Sequence, residues 1–344
     1  MSMHSVAVTG ASGLVGRHLL PALAEHPDVD RVVGLDVREP ERRPRGVEFH
    51  RVDIAGTELK PLLDGIDVVV HLAGVVDPVL DEALMARVNV EGTRHVLDAA
   101  ASVGVRRVVR ISSATVYGAW PNNPVPLTET APLRPNPHFS PAVQGAEVER
   151  LLAEWRGDHP EVTITTLRSA PVVGPGAERL PARILLGRPP LRVRGAAPPV
   201  QVVHVDDLAA ALTLVATGDL PGVYNVAADG WLTAADAGAL ITSSILPSLP
   251  AEALERVLRR TWELGIGDVP PGVVPYLTHP WVIANDKLRA AGWSPKTTNE
   301  EAIAEALAAL PIRRNARTAA AAGVVGVTAL GAAVAVRRRA RRRG

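Results

Sequence analysis

The chain contains no cysteine, and its 344 residues include only three lysines, three tyrosines and two phenylalanines. Without cysteine there is no disulfide scaffold, no thiolate metal site and no cysteine nucleophile, which fits a reducing cytosol. No metal site is expected. Excess charge is missing too: 37 Lys and Arg face 36 Asp and Glu, for a net charge of +1. The main body therefore offers no basic surface for nucleic acid. The first residues lack a basic stretch followed by an apolar run, so no secretory leader is expected. The basic residues are lopsided, since arginine supplies all but Lys60, Lys287 and Lys296. The length allows one large or two medium domains with a full core, and no internal repeat is visible.

What is present is organised around Thr9-Gly10-Ala11-Ser12-Gly13-Leu14-Val15-Gly16. A short apolar strand, Val6-Ala7-Val8, precedes this turn, and Leu14 to Ala24 follows with apolar residues at helical spacing. A strand, a glycine turn and a helix place free amides at the positive end of a helix, an arrangement that holds a pyrophosphate. Gly10 allows the turn, Gly13 lets phosphates approach, and Gly16 lets helix and strand pack closely, with Ser12, Leu14 and Val15 around them. Twenty residues after Gly16 the second strand ends on Asp36, whose carboxylate can accept from ribose hydroxyls. Arg38 lies two residues on, and a guanidinium there can bind a 2′-phosphate. NAD is the expected cofactor, with NADP open.

Strand and helix patterns alternate onward, which argues a parallel sheet wrapped by helices. A strand from Gly46 to Val52 ends on Asp53-Ile54, and Val68 to Leu72 runs into Ala73-Gly74. A long amphipathic helix is expected from about Asp81 to Ser102. The strand Arg107–Ile111 then ends in Ser112-Ser113-Ala114-Thr115-Val116-Tyr117-Gly118. A helix around Gly145–Leu152 and a strand Val162–Arg168 follow. Ligands of open parallel sheets bind beyond the carboxyl ends of the strands, where Gly10, Asp36, Asp53, Ala73 and Ser113 would gather. Beyond Gly174 the pattern loosens, and Val200–His204 and Gly222–Val226 read as returns to the sheet. The expected division is a dinucleotide-binding domain over 1–173 with returning segments near 200–228, an interleaved substrate lobe over 174–311, and a tail over 312–344.

These stretches resemble the extended short-chain dehydrogenases/reductases, the NAD-dependent epimerase/dehydratase family that includes UDP-galactose 4-epimerase. The glycine turn, Asp53-Ile54, His71-Leu72-Ala73-Gly74, Asn89-Val90-Glu91-Gly92-Thr93, Ser112 to Gly118 and Leu167-Arg168 carry the likeness. So do His204 to Ala209, Tyr224-Asn225-Val226 and Ala291-Gly292-Trp293-Ser294-Pro295. The resemblance implies an α/β fold, a Rossmann-type doubly wound parallel sheet with a smaller interleaved C-terminal lobe. It further implies NAD(P) along the sheet edge, contacted also by Leu72, Asn89 and Ser112, and a nucleotide-sugar-like substrate whose reacting oxygen Ser113 binds. A homodimer is also among its implications. One feature fails to match. The family's Tyr-x-x-x-Lys relay pairs a phenol with a lysine that lowers its pKa. Registering on Glu149-Arg150-Leu151-Leu152 puts Pro141 and Gly145 in those places, and a register two residues earlier gives Phe139 and Val143. No tyrosine elsewhere is followed four residues later by lysine. Tyr117 and His138 are the substitute proton carriers to test, while His71 and His204 read as strand histidines. Pro171 also stands where many members carry an asparagine near the substrate diphosphate.

Thr318 to Val336 is an uncharged run of nineteen residues bracketed by Arg313, Arg314 and Arg317 before it and by six arginines from Arg337 to Arg343 after it. Three readings stand open: a weak tail-anchor helix, a helix lying on an anionic leaflet, and a disordered tail. Membrane association through 318–343, with the body in the cytoplasm on the inner face, is the expectation. Two non-standard functions stay beside the enzyme reading. One is a non-catalytic NAD(P) sensor or scaffold at the membrane, the other a subunit completed by a partner.

Overall fold

The computed structural model describes residues 3–177, 180–186, 191–241 and 248–309. Six apolar segments with β-branched character form parallel strands: β1 His4–Thr9, β2 Val29–Asp36, β3 Val47–Arg51, β4 Val68–His71, β5 Arg107–Ser113 and β6 Thr163–Ser169. Two short strands follow, β7 Val172–Val173 and β8 Val203–His204, and then β9 Gly222–Val226. The main sheet runs β3-β2-β1-β4-β5-β6-β9. Val6 of β1 lies between Val32 of β2 and Val68 of β4, so the strand order reverses at β1. A crevice opens beyond the carboxyl ends at that reversal.

Alternation along the strands sets the two faces. Val6, Val8, Val70 and Val109 pack beneath Leu19, Leu20 and Leu23 of helix Leu14–Ala24 and Leu208, Leu212 and Val215 of helix Val205–Thr217. Ala7, Val33, Val69 and Val108 pack under Val96 and Leu97 of helix Gly92–Ser102 and Leu152 and Trp155 of helix Ser140–Asp158. Each fully buried Leu or Val contributes on the order of 1.5–3 kcal/mol, so helices on both faces hold the sheet, as both-sided apolar strands require.

Three local features differ from the sequence reading. The helix expected from Asp81 is interrupted: Glu82–Ala86 is α-helical, Arg87–Glu91 is a π turn, and Gly92–Ser102 resumes the α-helix. Helix Ser140–Asp158 is longer than its apolar signal because it begins at Ser140-Pro141, and proline is tolerated in a first turn. Val200–His204 does not rejoin the main sheet. The sheet edge beside β6 is taken by β9, and only Val203–His204 is a strand, paired with Val172–Val173. Val200 instead exchanges backbone hydrogen bonds with Leu232.

The remaining segments form a smaller lobe from helices Leu180–Leu186, Ala234–Ile241 and Ala251–Glu263 and the turn Pro271–Leu277. Buried polar side chains tie the later segments to the sheet. Asp207 accepts from the Lys296 and Thr297 amides, its carbonyl accepts from the Trp293 indole, and Asn299 accepts from the Val202 amide. Residues up to Ala308 form one compact unit. The tail over 312–344, and every membrane expectation attached to it, lies outside the described residues. Among the described residues no helix is long and apolar enough to cross a membrane, and no cluster of metal-ligating side chains is present.

Candidate cofactor and substrate site

The glycine turn closes β1 with two glycines that the protein's own backbone demands. Gly10 has φ +70°, and a Cβ there would lie 2.6 Å from the Ala73 nitrogen. A Cβ on Gly16 would lie 2.5 Å from the Ala11 carbonyl oxygen. Gly13 is different. Its φ is −70°, open to any residue, and a Cβ would approach only the Gly10 oxygen, at 3.1 Å. No side chain caps the helix that starts at Leu14, which leaves the first-turn amides of Leu14 and Val15 for an anion. Absence of a side chain at Gly13 keeps that approach clear.

The neighbouring strand ends line up as the sequence reading expects. Asp36 is buried, and its carboxylate accepts from the Ser12 amide at 2.9 Å and the Arg38 amide at 3.0 Å. The Ser12 hydroxyl donates to the Arg38 carbonyl at 2.6 Å, so the β2 end and the glycine turn are fastened together. A carboxylate has about four acceptor positions, so Asp36 keeps capacity for ribose hydroxyls. Asp53 is exposed and accepts from the Ala55 amide, while Ile54 beside it is buried and its carbonyl contacts His95 at 2.7 Å. Leu72, Ala73 and Gly74 are half-buried after β4. Asn89, on the π turn, fixes that loop: its Oδ1 accepts from the Val75 amide at 2.7 Å, and its Nδ2 donates to the Val75 carbonyl and to Gln144.

His71 stands at the end of β4 in a closed chain of hydrogen bonds. Its Nδ1 contacts the Thr9 hydroxyl at 2.7 Å, its Nε2 contacts the Thr93 hydroxyl at 2.9 Å, and Thr93 donates to the Asn89 carbonyl. Because Thr93 gives its proton away, Nε2–H is the donor and Nδ1 accepts from Thr9. This neutral tautomer is satisfied at both nitrogens. Burial, with the Arg110 charge nearby, holds the His71 pKa well below its ordinary value. It is a strand-end histidine, as read from the sequence.

At the end of β5 the Ser113 hydroxyl accepts from the Thr115 hydroxyl at 3.0 Å, and its residue is half-buried. Ser112 faces the other way along the strand and donates to Glu149 at 2.6 Å, which commits its hydroxyl within the protein rather than to a cofactor. Glu149 and Arg168 form a buried ion pair, closest at 2.6 Å, and Arg168 donates on to the Tyr117 oxygen at 2.8 Å. Tyr117 donates in turn to Asn225 at 2.8 Å. Burial works to lower the Arg168 pKa, but its hydrogen bonds and charge contact with Glu149 outweigh that and leave it raised.

Two proposed proton carriers are corrected by this geometry. Tyr117 is 1% exposed, its hydroxyl is occupied on both sides, and burial pushes its pKa up to about 12. It belongs to the core network. His138 is exposed and does not line the cavity described next, its backbone packing instead against Gly272. The relay positions stay empty of acid–base groups, because Pro141 is in the first turn of its helix and Gly145 faces Val116, whose Cγ1 would lie 3.1 Å from an added Cβ.

A cavity of about 370 Å³ opens beside Ala114 and Thr115 at the end of β5 and Ala170 and Pro171 after β6. The smaller lobe lines it with Phe139, Tyr276 and Trp281, the first two rings tilted at 5.1 Å and the last two edge-to-face at 5.2 Å, and with Arg192 and Arg194. The Tyr276 hydroxyl donates to the Thr115 carbonyl at 2.8 Å, and burial raises its pKa above the ordinary phenol value. The sequence reading missed these lobe residues. Leu191-Arg192-Val193-Arg194 alternates like a strand, and that pairing of two arginines on one face was the available signal.

The sequence model of the NAD dependent epimerase/dehydratase family matches residues 6–227. An uncharacterized protein of Mycobacterium tuberculosis is 31% identical over 241 residues, 66% of this chain and 63% of that protein. This chain thus matches under two thirds of that relative's length. A 3-diazoavenalumate denitrifying reductase of a Streptomyces species is 28% identical over 328 residues, covering 84% of this chain and 95% of the reductase. Among solved structures, the UDP-glucose 4-epimerase of Thermus thermophilus in complex with NAD superposes with a TM-score of 0.68 at 25% identity, over 89% of this chain and 98% of that one.

Proposed function

The chain belongs to the NAD dependent epimerase/dehydratase family, and on that premise we propose that it binds NAD along the sheet edge and transfers a hydride to or from an organic substrate in the 370 Å³ cavity. The observation that carries this reading is the glycine turn. Gly13 has an ordinary backbone φ of −70° and only a tight 3.1 Å approach of an added Cβ to the Gly10 oxygen, far milder than the clashes at Gly10 and Gly16, and it adjoins the uncapped amides where a pyrophosphate would sit. When bound, the nicotinamide supplies the hydride acceptor and donor. Leu14 and Val15 amides hold the diphosphate, Asp36 accepts from the adenosine ribose, and Asn89 keeps the Leu72–Gly74 loop in place. Exposed Arg38 leaves room for a 2′-phosphate, so NADP is tested beside NAD. Ser113 does not itself line the cavity, but its neighbours Ala114 and Thr115 do, and from the end of β5 it is the residue assigned to orient and polarise the reacting oxygen.

The resemblance gives a nucleotide-sugar-like substrate. A second reading is favoured by one observation: no group that titrates near neutral pH occupies Pro141 or Gly145, and none lines the cavity among the described residues. Epimerisation and dehydration need a protein base to take a carbinol proton, whereas a reduction that draws its proton from solvent does not. The reductase that matches over 95% of its length fits that second reading. The glycine turn at the sheet edge, together with a partly open cavity lined by the ends of β5 and β6, supports an enzyme over a binding-only protein. The test is turnover of NADH or NAD with UDP-, GDP- and dTDP-sugars and with carbonyl and other electrophilic acceptors. Ser113→Ala is expected to lower turnover by about 10²-fold, the usual cost of one donor to a reacting oxygen. Turnover unchanged by Ser113→Ala contradicts the assignment. Homodimer formation and membrane association through 318–343 belong to the same proposal, and are tested by sedimentation and by fractionating cells that express the chain with and without residues 312–344.

A further inference from the structure

We infer that the cavity takes an apolar, ring-bearing molecule with one anionic group, the anion held by Arg192 with Arg194 beside it. This deepens the reading above and rests on the cavity being the substrate site.

The walls set the body of the ligand. Ile184, Leu191, Val193, Leu277, Trp281 and Val282 surround the space. Apart from Ser248 and the two arginines, the polar side chains among the lining residues are already engaged. The Gln201 amide donates to the Ala228, Gly230 and Ile283 carbonyls, and its oxygen accepts from the Ile283 amide. Thr115 donates to Ser113, and Tyr276 donates to the Thr115 carbonyl. Sugar hydroxyls placed here would lose water without gaining partners, which disfavours them, while a ring gains by burial.

The charge sets the head group. No Asp or Glu lines the cavity among the described residues, but two arginines do. Among the described residues Arg194 donates only to the Ser248 carbonyl, at 3.2 Å. Arg192 makes no hydrogen bond or ion pair among the described residues, and its guanidinium lies where a Cβ on Gly238 would stand, 2.6 Å away. Gly238 thus clears the space for that guanidinium. An uncompensated guanidinium at the rim of an apolar chamber selects a carboxylate or phosphate by charge-assisted, bidentate hydrogen bonding. The volume suits one or two fused rings with a short acidic arm.

The experiment is calorimetric titration of the full chain, with and without NADH, using cinnamate, 2-naphthoate, indole-3-propionate, their methyl esters and UDP-glucose. At least one acid is expected to bind at least tenfold tighter than its own ester and than UDP-glucose. Arg192→Ala should weaken that acid at least tenfold, Arg192→Lys should restore part of the loss, and Gly238→Val should mimic Arg192→Ala by displacing the guanidinium. The inference is overturned if UDP-glucose binds tighter than every acid, if no acid outdoes its ester, or if Arg192→Ala leaves affinity unchanged. NADH binding is read in a separate titration of the same protein. A chain that binds NADH and none of the acids overturns the ligand class and leaves the hydride-transfer reading intact.

Discussion

Tyr117 and His71 show how position, rather than residue type, decides which polar groups can do chemistry. The Ser112 to Gly118 motif was plain in the sequence, and so was its tyrosine. What could not be read there is that Arg168 and Asn225, 51 and 108 residues away, occupy the Tyr117 oxygen. Tyr117→Phe is therefore expected to leave NADH affinity unchanged while lowering stability by about 1–2 kcal/mol, measured by urea unfolding, because it removes a buried hydroxyl and unpairs its partners. His71 has the opposite legibility, since its three-residue apolar lead, Val68-Val69-Val70, already marked it as a strand histidine. Its folded pKa lies well below its unfolded value, so the stability it contributes is present above about pH 6.5 and is lost as pH falls through the folded value. The urea midpoint of the native chain should fall from pH 7.5 to pH 5 more steeply than that of His71→Gln. Equal slopes would mean that the fold leaves the His71 pKa where the unfolded chain has it.

Among the elements, the central parallel strands were the most legible because β2 and β4 carry buried apolar runs, Val32-Val33 and Val68-Val69-Val70, whereas the edge strand β3 is half-exposed and charged. Their carboxyl ends followed, with Gly10, Asp36, Ala73 and Ser113 on one edge. The π turn Arg87–Glu91 was not legible. It is an insertion of backbone geometry into a helical pattern whose periodicity barely changes, and it places Asn89 against the Val75 backbone and Gln144. Asn89→Leu should cost about 1–3 kcal/mol from unpaired buried groups and weaken NADH by loosening the loop after β4. Urea unfolding and NADH titration read the two effects, and a variant that loses stability but keeps NADH affinity removes Asn89 from the cofactor site. The Val200–His204 segment was misplaced for a related reason. Short apolar stretches carry no record of which edge they pair with, and the edge beside β6 was taken by Gly222–Val226.

At the scale of the whole molecule, the first half is local and repetitive, each strand but β2 feeding a helix, and the sequence displays it. The smaller lobe is assembled from distant segments held by Asp207, Gln201 and Asn299, so the cavity and its arginines emerge only in three dimensions. The fold and the line of strand ends were thus readable, while the chamber proposed as the substrate site was not. Everything proposed for the molecule depends on a dinucleotide lying against the amino end of helix Leu14–Ala24. The most direct measurement is the fluorescence of NADH titrated with the purified full chain and with Gly13→Val, each checked for native circular dichroism. The native chain should enhance and blue-shift the NADH emission, and folded Gly13→Val should leave it as in buffer. An unchanged NADH signal with the native chain, or equal binding by the variant, would contradict the account.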